Sequence, residues 1–172
     1  MHLKKALNIS AAALAVGVLA FLAVQPGGGP AVGTPAPEFR LADLSGRTAT
    51  LAEYKGKVVL LDFWATWCST CEAELPDLKA VHRRFAKDDF VLLAASLDEG
   101  GPEVVARYAS EKALPYRVLF GDQNTAGAYR IFGLPTKYLI DRDGIISRKY
   151  LDGVPLPDLE RDIQAQLDRR PS

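Results

Sequence analysis

A run of eight residues, Lys57 to Trp64 (KVVLLDFW), constrains this chain most: it is apolar, β-branched and aromatic without strict alternation. That is the pattern of a strand buried on both faces, so the sheet holding it should be covered by helices. The pattern then changes period. From Cys71 to Phe85, the residues Leu75, Leu78, Val81 and Phe85 recur at helical spacing, with Glu72, Glu74 and Asp77 early and Lys79, Arg83 and Arg84 late. This charge order complements a helix dipole. The only two cysteines of the chain, Cys68 and Cys71, stand at the junction in the segment FWATWCSTC. If the helix begins near Cys68, its unpaired backbone donors and positive end stabilise a thiolate there, a setting that lowers cysteine pKa values to roughly 3.5–7.5. Cys68 is then the expected nucleophile. Cys71, three residues on, shares its helix face and is the expected resolving thiol, close enough for a disulfide.

Other chemistries for a C-x-x-C pair fare less well. A structural zinc site needs four ligands, and the chain has no second cysteine pair and only two histidines, His2 and His82, so no metal site is expected. Copper(I), which soft thiolates select, remains the competing class, as a carrier rather than an enzyme. Two cysteines three apart close too small a loop to stabilise a fold much, so the pair is better suited to chemistry than to bracing. His82 lies beside the apolar stripe and reads as structural. Trp64 and Trp67 are each either core or substrate platform, with Trp67 expected at the surface beside the thiol and Trp64 partly packed. The basic pairs Arg83-Arg84 and Arg169-Arg170 read as solvated helix ends, and nothing points to nucleic acid.

Phe63 to Cys71, with Asp62 before it and Pro76 after, resembles the active-site segment of thioredoxin-fold proteins. The lead-in GKVVLLDFW from Gly56, CEAELP from Cys71 to Pro76, and GLPTKYLIDRDG from Gly133 to Gly144 extend the resemblance. Together they point to the TlpA/ResA-like family of membrane-anchored extracytoplasmic thiol-disulfide oxidoreductases. The implied fold is α/β: a thioredoxin fold, a central mixed β-sheet flanked by helices, with an N-terminal β-hairpin and a βα insertion between Asp98 and Phe132. The resemblance implies that Pro135 is a cis-proline facing the cysteines and leaving the backbone of Leu134 free to pair with a substrate strand. Trp67, Leu134 and Pro135 are the substrate-binding candidates. A peroxiredoxin pattern fits less well, since Ala65 stands where it would have Thr or Ser.

Two carboxylates join the cysteines as catalytic candidates, because a proton must leave Cys71 when it resolves a mixed disulfide. Asp62 sits inside an apolar strand, where an unpaired charge is costly. The resemblance puts it where thioredoxin carries a buried acid, although many TlpA-like sequences have asparagine there. The bland alternative is an edge carboxylate reaching water or a lysine such as Lys57. Glu74 matches an active-site glutamate of ResA-like proteins; otherwise it is an ordinary exposed helix residue. Pro76, inside the helical pattern, predicts a kink.

The resemblance further implies a protein disulfide reductase with no cofactor beyond the redox-active Cys68-Cys71 pair. Implied clients are disulfides of apocytochrome c or of copper-site proteins. A membrane electron donor of CcdA or DsbD type would keep the pair reduced. A disulfide oxidase or isomerase would use the same residues.

Balanced charge, 21 basic against 21 acidic residues, argues against a polyanionic partner. Residues 1–25 read as a membrane anchor or signal peptide: Lys4 and Lys5 precede an apolar stretch from Ile9 to Val24. An uncleaved anchor is favoured, with the lysines cytoplasmic and the body extracytoplasmic, on the periplasmic face. Removing residues 1–33 takes two lysines and no acid from a chain of zero net charge, leaving −2. Residues 26–36, rich in glycine and proline, read as a flexible linker, and residues 37–172 as the thioredoxin-like domain. Within it the patterns predict a hairpin over Phe39–Leu51, a strand over Phe90–Leu97, a helix over Gly101–Lys112, a strand over Tyr116–Phe120 and a short helix over Asp122–Tyr129. An antiparallel pair (Lys137–Ile140 with Ile145–Tyr150) and a last helix opened by Pro157 complete it.

Overall fold

The computed structural model describes residues 29–169. The anchor expected over residues 1–25 therefore lies outside the described residues. Among those described, no helix is long and apolar enough to cross a membrane.

A hairpin, β1 (Arg40–Ala42) with β2 (Thr48–Thr50), opens the domain and runs into a 3-10 turn at Leu51–Tyr54. Its turn is built by Asp43, whose carboxylate accepts from the Ser45 and Arg47 amides at 2.9 and 3.0 Å and from the Ser45 hydroxyl at 2.6 Å. The five-stranded sheet is formed by β3 (Val58–Trp64), β4 (Phe90–Ser96), β5 (Arg117–Phe120), β6 (Thr136–Ile140) and β7 (Ile146–Leu151), in the order β5-β4-β3-β6-β7. Strands β3, β4 and β5 are parallel, joined by helical crossovers; β6 and β7 are antiparallel and close the far edge. Every residue of β3 is buried, as its unbroken apolar run requires of a central strand.

Five helices complete the domain: α1 (Ser69–Ala73), α2 (Leu75–Phe85), α3 (Pro102–Glu111), α4 (Gln123–Ala128) and α5 (Leu156–Leu167). One face of the sheet, carrying Leu60 and Trp64, packs under Leu78 and Val81 of α2, Val105 of α3, and Leu159 and Ile163 of α5; both cysteines belong to this core. The other face, carrying Leu61 and Phe63, meets Leu41 and Ala49 of the hairpin and the ring group Phe63, Tyr129 and Tyr138. Helices α2, α3 and α5 thus cover one face, while the hairpin covers much of the other. The insertion supplies edge strand β5, and Arg117 on it ties the hairpin down by donating to Asp43 at 2.9 Å and to the Tyr54 hydroxyl at 2.6 Å.

The last four residues of the expected linker are part of this body. The Gly33 amide donates to the Ile146 carbonyl at 2.8 Å, Ile146 to Thr34 at 3.0 Å and Ala36 to Gly144 at 2.9 Å, so 33–36 run along the β6–β7 turn, with one β-bridge between Pro35 and Ile145. Their composition reads as flexible because it shows only the side chains, whereas the pairing uses backbone groups that any sequence carries.

Candidate active site

Strand β3 ends at the sheet edge from which the cysteine segment leaves. Ala65 is buried, Thr66 half-buried, and Trp67 projects with 72% of its surface exposed, before Cys68 caps α1. Cys68 and Cys71 form a disulfide, with Cα atoms 5.2 Å apart. The Cys71 amide donates to Cys68 Sγ at 3.1 Å, so the nucleophile candidate accepts from a first-turn N–H that has no partner within the helix. Both are largely covered: Cys68 is 7% exposed and Cys71 4%. Trp64 is more deeply packed than its sequence setting predicts, tilted against Tyr108 at a ring distance of 5.4 Å, because it points into the helix-covered face.

The helix predicted over Cys71–Phe85 divides at Glu74, where Pro76 falls in the first turn of α2. A proline without an N–H is tolerated there, since first-turn donors have no partner within the helix. The division turns Glu74 inward. Its Oε2 accepts from Lys137 Nζ at 2.6 Å and its Oε1 from the Val154 amide at 3.2 Å, so it is no ordinary exposed helix residue.

Asp62 stands on the cysteine-side face of β3, directly across from Lys137 of β6. The strand is central and the side chain buried, so its partner is Lys137 rather than Lys57, with Nζ 3.5 Å from Oδ1. That distance marks an ion pair without a hydrogen bond, and Asp62 Oδ1 has no hydrogen-bond partner among the described residues. Burial pushes the Asp62 carboxyl up, Lys137 pulls it down and Glu74 adds to the rise, leaving it at about 6.

Pro135 follows a cis Leu134–Pro135 bond, as the resemblance implies. The register pairing Phe63 with Thr136 sets Pro135 beside the end of β3 from which the cysteines emerge. Leu134 is half-buried and packs against both cores. His82 is half-buried with its ring edge on Tyr116, as a structural role predicts.

Three contributors escaped sequence reasoning. Lys137 lies in an apolar strand, and the signal for it was Asp62, a buried acid that required a cation. Asp98 clamps the cysteine segment: it accepts from the Thr66 amide at 3.0 Å, the Thr66 hydroxyl at 2.5 Å and the Ser96 hydroxyl at 2.6 Å. Phe132, 88% exposed, precedes the cis-proline by three residues, an apolar ring left in water near the disulfide end of the sheet.

The helix-capping disulfide, the buried Asp62 on the same face of the sheet and the cis-proline beside the end of β3 have counterparts in known proteins. The model of the AhpC/TSA family matches residues 32–149. The chain belongs to that family. It is 34% identical over 137 residues to thiol-disulfide oxidoreductase ResA of Geobacillus kaustophilus, covering 78% of each chain. It is 30% identical over 131 residues to thioredoxin-like protein YneN of Bacillus subtilis, covering 75% of this chain and 76% of that one. Among solved structures it superposes on the thioredoxin domain of a thiol-disulfide oxidoreductase from Bacteroides vulgatus with a TM-score of 0.73 at 29% identity, covering 80% of this chain and 99% of that one. A thiol:disulfide interchange protein from Chlorobium tepidum gives a TM-score of 0.72 at 28% identity, with 81% and 99% covered. The AhpC/TSA member described here is a thiol-disulfide oxidoreductase of ResA type with a thioredoxin fold, and Cys68 and Cys71 are its cysteine pair.

Proposed function

We propose that this oxidoreductase works on the outer face of the cytoplasmic membrane, held by residues 1–25, and reduces disulfides in client proteins. The observation that carries the reading is Cys68 at the N-cap of α1, bonded to Cys71 and preceded by the exposed Trp67, at the end of β3 beside which the cis-proline lies. In the reduced protein the Cys68 thiolate attacks one sulfur of a client disulfide, that bond breaks, and the first client thiolate leaves. Cys71 then gives up its proton, Asp62 being the acceptor, and attacks Cys68 Sγ. The mixed disulfide breaks, the second client thiolate leaves, and two electrons have passed to the client. The Cys68-Cys71 disulfide is the end state of this turnover, and a membrane donor of CcdA or DsbD type would reduce it again. Trp67 and the backbone of Leu134 beside Pro135 would hold the client strand. The resemblance implies cysteines of apocytochrome c, or of copper sites, as clients.

Two measurements on the full-length chain test this. Cys71→Ser should trap a mixed disulfide with an oxidised C-x-x-C-H peptide, and Cys68→Ser should trap none. Thioredoxin-like potentials span roughly −270 to −120 mV, so a pair at about −220 mV or below supports a reductase, whereas one near −120 mV makes it a donor of disulfides. Stoichiometric copper(I) binding without disulfide reduction would favour a carrier instead.

A further inference from the structure

Lys137 is the least expected residue of the fold: a lysine with 0% exposure in the middle of strand TKYLI. A buried ion pair commonly contributes no more stability than apolar packing of the same volume, so structure alone gives a weak account of it. Its surroundings are more specific. One cation meets two acids, Glu74 at 2.6 Å and Asp62 at 3.5 Å. The two acids are unequally engaged. Glu74 uses both oxygens, one on Lys137 and one on the Val154 amide, and so anchors the ammonium from the α1–α2 junction. Asp62 Oδ1 takes no hydrogen bond among the described residues.

The other groups around Asp62 leave Lys137 as its one cation among the described residues. Strand β4 opposes it with Ala94, and α5 brings Leu159 and Ile163 to the same core. Cys68 and Cys71 lie in that core, and Tyr116 is held above its usual range by burial first and by the Asp62 charge second.

We infer that Lys137 is a positioning residue of the dithiol site: anchored by Glu74, it holds Asp62 on the cysteine side of the sheet and sets the pH at which that carboxylate accepts the proton of Cys71. This rests on the reductase reading above. In the resolving step the Cys71 S–H bond breaks, the proton passes to Asp62, the Cys71–Cys68 bond forms and the client sulfur leaves with the electron pair. Without the adjacent cation Asp62 would ionise only at higher pH, and the resolving thiol would lack its base near neutrality.

The test is the pH dependence of kcat/KM for reduction of an oxidised C-x-x-C-H peptide by the full-length chain. Lys137→Met should move the rising limb up by about one pH unit, an approximately tenfold lower rate on that limb, without raising KM. Glu74→Gln, which removes the acid that raises Asp62, should move the same limb down. Asp62→Asn should flatten it, and adding Lys137→Met to Asp62→Asn should change nothing more. Should Lys137→Met fail to fold, the polar Lys137→Gln decides, its rising limb and its Asp62 carboxyl titration by 13C NMR both expected to move up. A limb that Asp62→Asn flattens but that neither Lys137→Met nor Lys137→Gln moves overturns the inference and leaves the proton role of Asp62 standing. A limb that Asp62→Asn leaves in place removes both, and a wild-type chain without reductase activity removes the reductase reading itself.

Discussion

The Asp98 clamp is the side-chain contact that most directly fixes the segment before Cys68. Asp98→Ala would leave the Thr66 amide and hydroxyl without their acceptor in a half-buried site, and an orphaned donor costs about 1–3 kcal/mol. Urea denaturation should show a loss of that size, with Asp98→Asn recovering part of it through its remaining carbonyl. Trp67 should behave in the opposite way. Its ring stands in water, so Trp67→Ala should leave stability within about 0.5 kcal/mol while raising KM for a peptide client, which steady-state kinetics would separate. Both effects were unequally visible in the sequence: an aromatic next to a cysteine pair announces itself, whereas Asp98 acts across 32 positions of chain.

Among the elements, the α1–α2 junction separates pattern from context. Proline in a helix interior costs roughly 3 kcal/mol, so the sequence alone would promise a large gain from Pro76→Ala. Because Pro76 occupies the first turn of α2, the expected change is under about 1 kcal/mol, checked by denaturant unfolding. A proline that kept the chain in one continuous helix would instead show most of the larger gain. The interior of α2 has no such exemption: Leu78 is buried against the sheet, and Leu78→Ala should lose about 2–5 kcal/mol in the same assay. The stripe containing Leu78 was legible from its spacing. The inward turn of Glu74 was not, because it depends on where the helix divides and on a lysine and an amide contributed by other strands and loops.

For the molecule as a whole, two carboxylates give the pH dependence of stability opposite signs. Asp62 is raised from 3.8 to about 6, so its favourable protonated form is fully present below pH 3.8 and its contribution is lost as pH rises through about 6. Asp62→Asn should therefore be more stable than wild type at pH 7–8 and converge with it near pH 4, in thermal melts of the oxidised protein. Asp43 runs the other way: burial would raise it, but hydrogen bonds from Ser45, Arg47 and Arg117 prevail and bring it down to about 2. Its contribution is present above 3.8 and lost as pH falls through about 2, so Asp43→Asn should narrow the acid loss of stability. The sequence by itself determined what depends on neighbours along the chain: the buried strand, the helix stripe, the turn at Ser45-Gly46 and the cysteine pair at a helix start all follow from local periodicity and spacing. Only the tertiary structure decided that Lys137 serves Asp62, that Asp98 holds Thr66, that the hairpin covers a sheet face and that residues 33–36 join the body. Those contacts are set by strand order and register, which bring together groups far apart in the chain whose pairing no local pattern encodes.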